Sequence, residues 1–346
     1  MTKPMIAGFA AILIVACTSL QGPAAADATK AGDAAAKTGP EAKVRIVFPT
    51  TPTTLFLPYY VARKKGWLND LAIDETYVTG DSNAVRAVLS DQADVGCGVG
   101  TFSVLSALGA GADIKAVGSW SPLPDYNVII AADKGSTVAD LAGKVIATSG
   151  PGALPDQLPR ILMRRHGVDA SRSRFIQVGG HPARLQAVLG GRADATLVNT
   201  VTALDAIDTG KVRVVAKIAI EFPRLGYVWN VARVATLNDA ARSAVIQELT
   251  TAGIRGSRFI MQNPDAAAAI LHERVPALDL ELSKRVIRDL NRDGVWGGDG
   301  GLDAAITEFT AGTGTELGVL GRSVDPAAIA DGRFVAAALK DPALAK

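Results

Sequence analysis

The chain has 346 residues, of which 48% are hydrophobic and 5% aromatic, and its 36 basic side chains nearly balance its 34 acidic ones. This length and apolar content suffice for one large domain or for two lobes. Because the charges nearly cancel and aromatic residues are scarce, the composition excludes a basic, base-stacking surface for nucleic acid.

The amino terminus has the pattern of an export signal. Lys3 precedes an uncharged apolar run over residues 5–16, which is too short for a comfortable membrane span. We therefore predict a signal peptide over residues 1–26 and a mature protein in the periplasm or at the cell-envelope surface. Residues 27–43 are polar, rich in Ala and Gly and without periodicity, which predicts a flexible tether.

Two kinds of processing fit this leader. Residues 14–17 resemble a bacterial lipobox, which would make Cys17 the lipidated residue and anchor the protein to the membrane. Residues 24–26 resemble an ordinary A-x-A cleavage site. The tether favours lipidation slightly. In either case Cys97 has no disulfide partner, and its apolar surroundings predict a small buried side chain.

Short β-type runs then alternate with segments of helical spacing. This alternation predicts parallel βαβ units and an α/β fold. The predicted strands are residues 44–48, 73–78, 94–99, 114–120, 127–132, 144–147, 174–178, 193–198 and 212–216. From residue 238 to about 288 the pattern is mostly helical.

The strand at 144–147 runs into a Ser-Gly-Pro-Gly turn before a helical segment. A strand that turns sharply into a helix directs the unpaired N–H groups of the first helical turn beyond the strand end. Ser149 and Gly150 could therefore contact an anionic or dipolar ligand. The same arrangement recurs along the chain.

One recurrence indicates an internal repeat. Residues 92–96 and 192–195 each follow a helix and a polar turn, and each contains Ala-Asp at the start of a strand, with Asp94 and Asp194 in equivalent places. Two units of the same plan predict two similar lobes rather than one sheet.

Four motifs resemble the solute-binding proteins of bacterial ABC transporters for nitrate, sulfonates and taurine, together with the related thiamine-precursor binders. Residues 57–67 resemble the family helix P-x-Y-V-A-x-x-x-G, and residues 92–96 resemble its G-x-A-D-I-G strand with Asp91-Gln92 at the glycine. The segments 138–147 and 189–195 resemble DLKGKKIA and L-x-x-G-x-V-D-A. The match spans about residues 44–340.

The resemblance implies a type II periplasmic-binding-protein fold, in which two α/β lobes joined by a two-strand hinge close on a ligand. Lobe 1 would comprise residues 44–132 and 217–346, and lobe 2 residues 133–216. It also implies a small organic solute as ligand and an ABC permease and ATPase as partners. We expect a monomer without cofactor, metal or catalytic residues.

Ligands of this family bind at the carboxyl ends of the strands, between the lobes. The resemblance places these residues at the cleft: Thr53, Thr54, Thr101, Phe102, Trp120, Ser149, Gly150, His181, Asn199, Thr200 and Trp229. Phe102 and Trp120 could equally be core, and Asn199 could cap a helix. A charged His181 would suit an anion, whereas a loop histidine is more often a solvent-exposed bystander.

The chain differs from the family at the position that binds the acid group of the ligand. Sulfonate binders often present an arginine to the acid group, but no arginine stands at the predicted strand ends. Arg184, Arg224 and Arg233 lie nearby in sequence. An uncharged or partly aromatic solute is therefore as compatible with the sequence as an oxyanion.

Two other classes of function share these features. The same superfamily includes enzymes acting on pyrimidine or menaquinone precursors, although the sequence contains no metal-ligand spacing, nucleophile elbow or nucleotide loop. A ligand-sensing lipoprotein that signals to a membrane partner would have much the same sequence.

Overall fold

The computed structural model describes residues 42–151, 153–320 and 324–344. The predicted signal peptide, Cys17 and nearly all of the tether lie outside these residues. The exceptions are residues 42 and 43, which belong to the first strand and not to a tether. In the described part of the chain, no helix is both long and apolar enough to cross a membrane.

Two five-stranded sheets form the two lobes of an α/β fold. The first contains β1 (Ala42–Phe48), β2 (Leu71–Tyr77), β3 (Val95–Gly100), β4 (Ile114–Gly118) and β10 (Val228–Arg233), in the order β2-β1-β3-β10-β4. The second contains β5 (Tyr126–Ala131), β6 (Val145–Thr148), β7 (Arg174–Gln177), β8 (Ala195–Asn199) and β9 (Val212–Lys217), in the order β7-β6-β8-β5-β9. The predicted fold class is confirmed.

Helices cover the sheets, because the strands are apolar on both sides, as in β3, where five of six residues are buried. Those of the first half are α1 (Leu57–Lys64), α2 (Asp81–Leu89), α3 (Thr101–Gly109), α4 (Leu154–Arg165), α5 (His181–Leu189), α6 (Thr200–Ile207) and α7 (Ile218–Glu221). Those of the second half are α8 (Val234–Asn238), α9 (Ala240–Gln262), α10 (Pro264–Arg274), α11 (Leu280–Arg292), α12 (Ala304–Glu316), α13 (Pro326–Ile329) and α14 (Arg333–Ala338).

Each sheet contains one antiparallel strand, and both of these strands differ from the prediction. β5 pairs with β8 and β9 and so belongs to the second sheet, although the sequence places the lobe boundary after residue 132. β10 lies between β3 and β4 and was not predicted as a strand. The chain therefore crosses between the sheets over residues 119–125 and returns over residues 218–227, and each crossing leads directly into a central strand.

The predicted repeat corresponds to an equivalent aspartate-to-backbone hydrogen bond in each lobe. Asp94 accepts a hydrogen bond from the backbone N–H of Arg45 at 2.8 Å, and Asp194 accepts one from Val145 at 2.8 Å, with the partners 49 positions apart in each case. Each carboxylate thereby ties the start of one central strand, β3 or β8, to its parallel neighbour. The Ala-Asp motif is structural, and it lies at the end of each sheet opposite to the predicted ligand positions.

The lobes also contact each other through their helices. Arg285 on α11 pairs with Asp208, at the end of α6, at 2.5 Å. Lys217 at the end of β9 lies 2.7 Å from Asp289 and 2.8 Å from Asp293. These ion pairs join the second sheet and its helix to α11 of the first lobe.

Candidate functional site

A groove of about 640 Å³ opens between the lobes at the carboxyl ends of the strands. Asp81, Gly100 and Phe102 line it from the first lobe, and Ala153 and Leu154 line it from the second. Gly100 ends β3, and Leu154 begins the helix after β6. This is the edge at which ligands bind in open α/β sheets.

Phe102 is the predicted site residue that the groove contains. Its half-buried ring packs against the apolar core of the first lobe, including Leu105, and against that of the second, including Leu158. Phe102 therefore bridges the two lobes at the floor of the groove.

A buried polar and aromatic cluster forms where the chain passes between the lobes, from Asp125, Tyr126 and Tyr227. Asp125 is 5% exposed, its Oδ1 has no hydrogen-bond partner, and the Tyr227 hydroxyl lies within hydrogen-bonding reach of the carboxyl. The rings of Tyr126 and Tyr227 meet edge to face with centroids 5.2 Å apart. Burial raises the pKa of Asp125 to about 6 and that of Tyr126 to about 12.

Asp81 connects this cluster to the groove. Its carboxylate accepts the backbone N–H of Gly100 at 2.8 Å, and burial raises its pKa. Its charge also acts on the hydroxyls of Tyr126 and Tyr227, since it contributes to raising the pKa of both. Of these four residues, Asp81 is the one that lines the groove.

His181 stands on the opposite side, stacked on Tyr126 with ring centroids 5.7 Å apart. Its Nδ1 accepts the backbone N–H of Asn199 at 3.1 Å and lies 3.2 Å from Arg184 Nη2. Burial, aided by the Arg184 charge, lowers the pKa of His181 to about 4. The neutral imidazole is therefore the favoured form, in contrast to the charged His181 considered from the sequence, and its Nε2–H remains as a neutral donor.

Because the neutral form of His181 is favoured in the folded protein, protonation favours unfolding. Stability linked to this residue is present above about pH 6.5 and is lost as the pH falls towards 4. We expect His181→Gln, which keeps an acceptor for Asn199, to lose this dependence. The free-energy difference between wild type and variant should shift by about 2 kcal/mol between pH 7.5 and 4.5, measured by urea unfolding. A constant difference would contradict the assignment.

Several predicted site residues use their polar groups in hydrogen bonds within the protein, mostly to the crossings between the lobes. Thr101 is buried and donates to the carbonyl of Gly226 at 2.8 Å. Thr200 is buried, donates to the Asp125 carbonyl at 2.9 Å and accepts from Asn127. Asn199 caps α6 by accepting the N–H of Thr202 at 3.0 Å, which was the alternative reading of this residue.

The glycine-rich turn after β6 is arranged differently from the prediction. The N–H of Gly150 donates to Thr148 Oγ1 at 3.1 Å, and α4 begins only at Leu154. Ser149 and Gly150 are half-buried at the strand end. Thr53 and Thr54 follow β1 and precede α1, with Thr54 only 4% exposed, and neither belongs to the groove lining described above.

Two predicted site tryptophans belong to the core. Trp120 is 3% exposed, stacks on Tyr59 at 5.7 Å, and directs its indole nitrogen at Gly253 of α9. Trp229 is fully buried in central strand β10. Burial away from the groove removes both from the candidate site.

The nearby arginines do not belong to the groove lining. Arg184 is buried and donates to the carbonyls of Leu197 and Gly179. Arg233 pairs with Asp91 at the other end of the sheet, and Arg224 is exposed on the returning crossing.

Sequence reasoning missed Asp81, Asp125, Tyr126 and Tyr227. The available signal was weak: Asp125 is an acidic residue between Pro124 and an apolar strand, in a segment expected to be buried. Tyr227 precedes the strand that the sequence did not predict. Its proximity to Tyr126 depends on the return of the chain to the first lobe.

A second cavity, of about 360 Å³, lies on the first lobe between α1, β2 and α10. Glu75 accepts from Tyr59 at 2.5 Å, Tyr77 at 2.7 Å and Arg274 at 2.8 Å, whereas the buried Tyr60 hydroxyl has no hydrogen-bond partner. The cavity lacks residues from the second lobe, and we assign the site to the groove between the lobes.

A family model described as NMT1/THI5-like matches residues 53–267, more than half of the chain. The chain belongs to the NMT1/THI5-like family. The matched region includes Asp81, Gly100 and Phe102 of the first lobe and Ala153 and Leu154 of the second. No curated protein matches the sequence.

Solved structures share the fold of this NMT1/THI5-like protein at low sequence identity. The aliphatic sulphonate-binding protein SsuA from Escherichia coli has a TM-score of 0.66 and 20% identity, with 85% of this chain and 92% of that one covered. The nitrate-binding protein NrtA from Synechocystis has a TM-score of 0.65 and 14% identity, with 88% of this chain and 90% of that one covered. A ligand-binding component of an ABC-type import system from Staphylococcus aureus has a TM-score of 0.69 and 11% identity, with 86% of this chain and 98% of that one covered.

Proposed function

We propose that the protein is the extracytoplasmic solute-binding component of an ABC import system. It captures a small organic solute between its lobes and delivers it to a membrane permease, with an ATPase supplying the energy. The observation that carries this proposal is the groove, which takes its lining from both lobes at the strand ends. Binding there draws the lobes together, because a ligand that contacts both favours the closed arrangement.

The known proteins support the same assignment. SsuA and NrtA bind sulphonates and nitrate in the periplasm, and the Staphylococcus aureus protein serves an import system. The predicted export signal and the lipobox-like segment would place this protein outside the cytoplasm, as such a role requires.

The thiol of Cys97 does not offer a nucleophile for covalent catalysis. Cys97 is fully buried, and burial raises its pKa well above the ordinary value, so it is not a ready nucleophile. A sensing role would use the same groove and the same closure, with a signalling protein as the membrane partner.

The proposal is tested by ligand-induced stabilisation and closure. The purified protein is screened by thermal shift against sulfonates, nitrate, pyrimidines, aromatic acids and organic cations, and hits are confirmed by calorimetry. We expect at least one class to raise the melting temperature in a dose-dependent way and to reduce the radius of gyration in X-ray scattering. No stabilisation by any class would contradict a binding function.

A further inference from the structure

A further cavity, of about 490 Å³, lies between the lobes. Its walls are α4 of the second lobe, the returning crossing and α12 of the first lobe, and we call it the α4–α12 cavity. α4 borders both this cavity and the groove, because Leu154 at its start lines the groove, whereas Leu158 and Ile161 line the cavity. Cavities of this size at the junction of two lobes are typical sites for small molecules.

Large apolar side chains form most of the surface of the α4–α12 cavity: Leu158, Ile161, Phe222, Leu225 and Phe309. Leu158, Phe222 and Leu225 belong to the apolar core of the second lobe. Phe309, on α12, is 38% exposed and packs into none of the apolar cores of the described residues. An aromatic ring left in water forgoes the free energy of its burial, which an apolar ligand would restore.

The charged part of the lining consists of two arginines and one glutamate. Arg164 of α4 and Glu316 of α12 form an ion pair across the lobes at 2.7 Å, which holds the two helical walls together. Arg165 takes part in no ion pair among the described residues. Its guanidinium carbon lies 5.3 Å from the centre of the Phe222 ring. The lining therefore keeps one uncompensated positive charge beside its apolar wall.

The wall formed by α4 changes from apolar to basic along the helix. Leu158 and Ile161 are followed by Arg165, which stands two turns after Leu158, about 10 Å further along the helix axis. An apolar chain can pack on the first part of this wall, and an anionic group at its end meets a guanidinium without an acidic partner, which favours a charge-assisted hydrogen bond. A cationic group at the same place would be repelled.

We propose that the α4–α12 cavity is a second ligand site, which takes an amphipathic carboxylate. The apolar chain of the ligand packs on Leu158, Ile161 and Phe309, and its carboxylate accepts hydrogen bonds from Arg165. This site is separate from the groove and would exist whether or not the groove binds a solute. Its occupant contacts both lobes and therefore favours the arrangement in which α4 and α12 lie side by side.

The first test varies the head group and the chain length of the ligand on the full chain of the protein. Octanoate, octanol and octylammonium are compared by calorimetry at concentrations below micelle formation. We expect octanoate to bind at least about threefold more tightly than octylammonium, because its head group meets Arg165. Affinity should rise by about fourfold for each CH₂ from butanoate to octanoate, since each added group is buried. Equal binding of octylammonium and octanoate, or no binding of any carboxylate, would overturn the inference.

The second test changes the lining of the cavity. Phe309→Ser should weaken octanoate binding by at least about fivefold with little loss of stability, because this ring is already partly exposed. Arg165→Glu should weaken it by at least about threefold. The matched controls are Leu339→Ser, at an apolar side chain that is 43% exposed, and Arg213→Glu, on edge strand β9; neither residue lines this cavity, and both variants should bind normally. Unchanged octanoate affinity in either cavity variant would overturn the inference.

A groove variant distinguishes the two sites. Asp81 lines the groove and not the α4–α12 cavity, so Asp81→Asn should leave octanoate affinity unchanged. A change of octanoate affinity in Asp81→Asn, with none in Phe309→Ser, would place the carboxylate in the groove; this result would overturn the second site and support the proposed function. If no carboxylate binds while the groove screen yields a solute, only the second site is overturned.

Discussion

Gly256→Ala is expected to destabilise the protein by about 3 kcal/mol or more. Gly256 lies in α9 where this helix crosses α1, and an added Cβ would stand 2.1 Å from the backbone carbonyl oxygen of Pro58. A backbone atom cannot rotate away, so one helix must shift and loosen the largest core of the first lobe. Thermal unfolding should show a melting temperature lower by about 5–10 °C.

Gly312→Ala is the control for the effect of alanine in a helix. Gly312 lies within α12, is exposed, and has no atom within 4 Å of an added Cβ. Relief of the glycine penalty should raise stability by about 0.5–1 kcal/mol. If both variants were equally stable, the close approach of α1 and α9 would be wrong.

Asp94→Ala should cost about 3 kcal/mol. The Asp94 carboxylate accepts the Arg45 N–H and also pairs with the guanidinium groups of Arg45 at 2.8 Å and Arg242 at 2.6 Å. Burial opposes its ionisation, but the hydrogen bonds and charges of the two arginines outweigh burial and hold its pKa below the ordinary value. Truncation leaves these donors unpaired at the start of a central strand.

Asp194→Ala tests the same position in the other lobe, where the carboxylate accepts the N–H of Val145 and takes part in no arginine pair among the described residues. We expect a smaller loss, of about 1 kcal/mol, measured by urea unfolding at pH 7. Because the pKa of Asp94 is depressed, its contribution is present above about pH 4 and is lost as the pH falls through the folded-state pKa. An Asp94→Ala loss that is unchanged at pH 2.5 would contradict the ion-pair account.

Much of the fold could be predicted because its local signals are strong. β1, β3 and β8 are short apolar runs bounded by polar turns. The Ala-Asp repeat predicted two α/β units with the same order of elements. β10 was missed because its pattern, Val228 to Arg233, follows a crossing and is preceded only by the four-residue α7, which is too short to mark it as a βαβ strand. β5 was assigned to the wrong sheet because its apolar character does not specify a partner.

The candidate site was less predictable, since each residue type has a structural use as well as a binding one. Strand-end residues such as Thr101 and Thr200 bond to the crossings instead of facing the groove. Trp120 and Trp229 serve the core. The charge of His181 depends on burial beside Arg184, which is a property of the assembled lobe.

By itself, the sequence determined the α/β class, the repeat of two lobes and the family, because alternating apolar periodicity and motif spacing are local properties. Only the tertiary structure decided which strand joins which sheet and that Asp125, Tyr126 and Tyr227 meet beside Asp81. Those residues come from two crossings and a helix far apart in the chain. Their burial, and hence the raised pKa values of Asp125 and Tyr126, arises only when both lobes are folded around them.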